Sequence, residues 1–148
     1  MLVLAVACKS ESKRAEPQHD HHEDRNEPAA APANLALDVS IDGTAAKWNA
    51  DAFAKVPHTP GKATSGESRD VWSLRELAHT LVGPTARVVS VSNATATKAI
   101  DAAAWADASR IPIVHTTRRG SLKFRWSDAA GTWGESELND VTKLELVR

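Results

Sequence analysis

The chain changes character near residue 35, and that break limits what it can fold into. From Lys9 to Asn34 it consists largely of Lys, Glu, Asp, His, Pro and Ala, with almost no large apolar side chain. Such a stretch cannot bury enough apolar surface to offset the entropy of ordering itself, so it predicts a flexible linker. Pro28 and Pro32 stiffen the end of that linker. Only Leu35–Arg148 is left to supply a core, a length that suits one domain.

Within that region the apolar positions predict strands more often than helices. Leu35, Leu37, Val39 and Ile41 alternate with small or polar residues, the period of a half-buried strand. Asp42-Gly43 supplies a tight turn, and Ala45–Trp48 returns as a second strand. Asn49 can cap a short helix that carries Ala52, Phe53 and Val56 on one face and stops at Pro57. The stretch from His58 to Asp70 has no apolar periodicity and reads as a loop.

The strongest local signal is Trp72-Ser73-Leu74-Arg75-Glu76-Leu77. Ser73 and Glu76 are spaced as a capping box, with Trp72 and Leu77 as a hydrophobic staple. Leu74, Leu77, Ala78 and Leu81 then form one apolar stripe of a helix that Gly83 and Pro84 end. Arg87–Ser92 reads as an inner strand, and Asp101 can cap a short helix containing Trp105. Arg110–Thr117 reads as another strand, with Ile111, Ile113 and His115 on one face and Pro112 marking its start or an edge. After a turn at Arg118-Arg119-Gly120, Leu122, Phe124 and Trp126 face one way and Lys123 and Arg125 the other. A turn at Asp128–Ser136 leaves Trp133 exposed, and Val141–Arg148 closes the fold. The class is therefore α+β, a mixed sheet with short helices on it.

Composition excludes several chemistries. There are 18 Lys+Arg against 19 Asp+Glu, so no charge excess points to nucleic acid. The single cysteine, Cys8, precedes the folded region, which therefore has no thiolate for a metal or a nucleophile. Tyrosine is absent, leaving His, Asp, Glu and Lys as acid/base candidates. His58, His79 and His115 show no metal-ligand spacing and read as isolated residues. Arg118, Arg119, Lys123 and Arg125 are the densest basic group in the domain and a candidate phosphate holder, although the same pattern also describes a solvated strand face and turn.

The first residues, Met1 to Cys8, place the small side chains Ala5 and Ala7 ahead of the cysteine. This resembles the end of a bacterial lipoprotein signal peptide. The resemblance implies lipidation of Cys8, membrane attachment through that lipid and a place in the cell envelope, with an envelope protein as a possible partner. It departs from the family pattern in that Leu4 sits one position too far upstream and no basic residue precedes the run. In the linker, His19, Asp20, His21 and His22 could take Zn²⁺, Cu²⁺ or Ni²⁺, which gives a metal-binding lipoprotein as the alternative function.

The order of elements in Leu35–Arg148 also resembles the molybdopterin-binding domain of the sulfite oxidase family. The likeness rests on Ile41-Asp42-Gly43, on Trp48 to Pro57, on the helix entered at Trp72, on Ala86–Val91 as central strand and on Val141–Val147 as closing strand. It implies that fold, with molybdopterin as cofactor. Family members hold molybdenum through a cysteine thiolate and place a tyrosine beside the substrate oxygen, and neither residue is present in the folded region. The resemblance thus implies a non-catalytic binding or interaction module without a required cofactor, ahead of a molybdopterin-dependent oxidoreductase component.

Overall fold

The computed structural model describes residues 31–148; Cys8 and the His19, Asp20, His21 and His22 cluster lie outside the described residues. The elements run β1 (Ala36–Ile41), β2 (Thr44–Asn49), α1 (Ala50–Ala54), β3 (Thr59–Ala63), β4 (Ser68–Ser73), α2 (Leu74–Leu81), β5 (Arg87–Ser92), β6 (Thr97–Ala99), α3 (Ala102–Ala106), β7 (Arg110–Thr116), β8 (Leu122–Asp128), β9 (Thr132–Trp133) and β10 (Lys143–Val147). The fold is strand-rich with short helices, the coarse α+β class its sequence predicts.

The strands form two units. One is an open sheet in the order β2-β1-β10-β5-β6, in which β1 and β10 run parallel and the other neighbours antiparallel. The other is a closed barrel in the order β3-β4-β7-β8-β9, sealed by the parallel pair of β3 and β9. The main core lies between them. Leu37, Val39, Leu144 and Leu146 come from the sheet, Trp72, Val114, Leu122 and Phe124 from the barrel's outer wall, and Phe53, Leu74 and Leu77 from the helices.

The local chemistry matches the sequence at the caps. Ser73 Oγ accepts from the amides of Arg75 and Glu76 at 3.1 and 3.4 Å, and Asn49 and Asp101 cap α1 and α3 in the same way. Arg75 then ties α2 to its neighbours: its Nη2 donates to the carbonyls of Ala104, Asp107 and Arg110 at 3.4, 2.9 and 2.8 Å. Contacts to the core begin a little upstream of Leu35. Ala31 packs on it, and Pro32 lies over Gly120, where an added Cβ would stand 3.6 Å from the proline ring.

Three readings need correction. The stretch 58–70 is not a loop: it holds β3 and the start of β4. On the face shared by Thr59, Gly61 and Ala63 there is no large apolar residue to mark the period, and at Gly61 the barrel interior leaves no room for one. Trp133 is not exposed; it is 2% accessible and lies inside the barrel with Val71 and Ile113. Lys123 and Arg125 do not point to an outer sheet face, because β7 and β8 curl into the barrel and turn that face inward.

Gly61 records how tightly the barrel is filled. A Cβ there would meet Trp133 Cε3 at 3.0 Å and Cζ3 closer still, with Val71 Cγ1 at 3.2 Å. Gly61→Ala is therefore expected to destabilise the domain by about 1–3 kcal/mol through overpacking, read as a lowered urea midpoint at unchanged slope.

Candidate functional site

The barrel has two mouths separated by its own small core. Along β7 the inward residues are Ile111, Ile113 and His115, and the pairing with β8 sets them beside Ser127, Arg125 and Lys123. On β4 the inward residues are Arg69, Val71 and Ser73. One end is thus apolar with hydroxyls, a cleft of about 450 Å³ bounded by Val71, Ile111, Ile113, Ser73 and Ser127. The other end is basic.

That basic pocket has a volume of about 80 Å³, and Arg69, His115, Arg118, Lys123 and Arg125 line it, with Glu67 and Trp133. Arg69 pairs with Glu67. Neither Arg118 nor Lys123 has a carboxylate within 4.0 Å among the described residues. The Arg69 hydrogen bond and charge hold the Glu67 carboxyl below the usual carboxylate range, so it stays ionised.

His115 is the floor of the pocket and is 3% accessible. Its ring stacks on Trp133 with centroids 5.4 Å apart and planes 21° apart. Nδ1 lies 3.2 Å from the carbonyl oxygen of Thr116, so it carries the proton and donates. Nε2 accepts from Arg125 Nε at 2.9 Å, so it is bare. The two partners therefore require the neutral ring. Burial pushes the His115 pKa below its ordinary 6.5, and the charges of Arg125, Arg69 and Lys123 act in the same direction against the Thr116 bond.

Arg125 is held at three points. Nε reaches His115, Nη1 donates to the carbonyl of Gly134 at 2.6 Å, and the guanidinium carbon lies 5.8 Å from the Trp133 ring centre. Burial draws its pKa below the usual arginine value while leaving it a cation. Arg118 is set by the turn between β7 and β8, where Thr117 N donates to Ser121 O at 2.8 Å, Thr117 Oγ1 meets Ser121 Oγ at 2.8 Å and Gly120 adopts φ +85°.

Of the basic group expected from sequence, Arg118, Lys123 and Arg125 come together, while Arg119 is not among the pocket's lining residues. Arg69, His115 and Glu67 are additions that sequence reasoning missed. His115 was within reach: a turn centred on Arg118–Gly120 implies the register His115 opposite Lys123, on the same face as Arg125. Arg69 gave no signal, since it lies in the stretch read as a loop.

The donors that line the pocket are of the kind oxyanions accept. Guanidinium and ammonium donors converge on a space that suits a tetrahedral group, and His115, with both nitrogens engaged, positions Arg125 and offers no lone pair to a substrate or metal. Among the described residues the other two histidines stand apart: His58 faces Asp70 at 3.6 Å and His79 abuts Trp105. Among the described residues no group of three or more His, Cys, Asp or Glu could hold a metal ion. No protein-family model, curated protein or solved structure matches the chain.

Because the native state holds His115 below its ordinary pKa, the unfolded chain takes up its proton first as pH falls. The stability that neutral His115 contributes is therefore present above about pH 6.5 and is lost as pH drops toward the lowered native value. Urea unfolding followed from about pH 7.5 down to about pH 5 should show that loss, and His115→Gln should flatten the curve in the same window.

Proposed function

We propose that this domain is a non-catalytic binding module that takes a phosphate- or sulfate-type anion at the basic mouth of its barrel. The observation that carries the reading is the convergence of Arg69, Arg118, Lys123 and Arg125 on one pocket whose lining includes one carboxylate, Glu67. A protein rarely crowds like charges unless an opposite charge offsets their repulsion, and planar guanidinium groups suit the oxygens of such an anion. The fixed Arg125 adds preorganisation, since an anion binds without first ordering that side chain.

The sulfite-oxidase resemblance supports a narrower form, in which the anion is the phosphate of a pterin. The pocket's size fits the phosphate and not the organic body, which would lie outside it, and residues 31–148 contain no thiolate for molybdenum. The reading thus keeps the family's phosphate recognition without its redox step. The run ending at Cys8 supports delivery of the module to the cell envelope on a lipid anchor. Metal capture by His19, Asp20, His21 and His22 stays the alternative.

Calorimetric titration of the full chain with inorganic sulfate and phosphate is expected to give saturable binding that weakens with salt. Arg118→Glu and Lys123→Glu should each lower the affinity about tenfold or more, equivalent to about 1.4 kcal/mol per tenfold step. Absence of binding, or affinity indifferent to both reversals, sinks the proposal. In cells, Cys8→Ser should move the protein from the membrane fraction to the soluble one; an unchanged distribution refutes the anchor.

A further inference from the structure

The contacts of His115 point beyond anion binding to its regulation, on the premise that the basic mouth is an anion site. We infer that this site binds an anion together with a proton, and that His115 is where the proton goes. The geometry requires a bare Nε2, because Arg125 donates to it while Nδ1 donates to Thr116 O. A proton added at Nε2 faces the Arg125 N–H directly, so the ring and the guanidinium must part. Arg125 stays anchored on Gly134 O and beside Trp133, and its freed Nε–H becomes a further donor for a ligand.

The charges that face His115 explain why protonation awaits an anion. Lys123 and Arg125 approach from β8, Arg69 from β4 and Arg118 from the β7–β8 turn, while Glu67, from the segment between β3 and β4, pairs with Arg69. Trp133 on β9 contributes a stacked ring and no charge. An imidazolium in that company is opposed by every cation around it. A bound dianion removes the opposition and favours the charged ring, so uptake of anion and uptake of proton reinforce each other by linkage. Burial and neighbouring cations already depress the proton affinity of His115, which widens the window over which the coupling operates.

The two events also complement each other electrostatically. The proton comes from solvent, the ring gains one positive charge, and the dianion supplies two negative ones. Affinity for the anion therefore falls as pH rises.

Sulfate is the suitable probe because it keeps its charge across the relevant range, whereas phosphate titrates itself. With the full-length protein, sulfate affinity measured by calorimetry should rise as pH is lowered from about 7.5 to about 5, by at most about tenfold per pH unit. In His115→Gln the slope should disappear. The His115 ring titration followed by NMR in the unaltered protein provides a second reading that does not depend on the variant folding, and saturating sulfate should move its midpoint upward. Sulfate binding with no pH slope, or a His115 midpoint indifferent to sulfate, overturns the coupling while leaving the anion site intact. Absence of sulfate binding at every pH overturns both.

Discussion

The interior of the small barrel is set by one indole. Trp133 fills the space between Val71, Ile113 and His115, and its ring lies where a side chain at Gly61 would otherwise project. A closed barrel of five short strands has room for few large residues, so this one determines the identity of its neighbours. Gly61 on β3 lacks a side chain for that reason, and His115 lies flat because it stacks on the same ring. The plug also divides the lumen, so that the apolar cleft and the basic pocket are separate chemical environments within a single strand bundle.

The basic mouth follows from that division. Beyond the plug, the inward positions of β4 and β8 carry Arg69, Lys123 and Arg125 where further apolar residues would extend a core. Their concentration opposes itself electrostatically; Glu67 pairs with Arg69, and His115 Nε2 and the carbonyl of Gly134 accept from Arg125. Retaining that arrangement costs stability. The His115–Arg125 contact is neutral on one side and cationic on the other, which lets the two groups sit 2.9 Å apart without an ion pair.

Much of the larger fold was legible because its signals are local. The capped helix at Leu74–Leu81, the hairpin through Asp42-Gly43 and the alternation of Leu122, Phe124 and Trp126 all appear where residue pattern places them. The barrel was not legible for a physical reason. Closure pairs β3 with β9 across a long stretch of chain, and neither strand has the branched apolar residues that mark a strand in sequence. The basic group was visible as composition, and Arg118, Lys123 and Arg125 do meet. Whether they faced solvent or a lumen depended on curvature, and no alternation pattern encodes curvature. Arg69 stayed hidden with β4, whereas His115 could have been placed by counting outward from the turn at Gly120.

Pro32 resting on Gly120 fixes where the N-terminal segment meets the domain. That contact is two residues along the chain from Arg118, on the same turn that helps to frame the basic mouth. The chain ahead of residue 31 therefore joins the domain at this corner. A group carried on that chain has a local concentration at the domain set by linker length instead of by its abundance in solution.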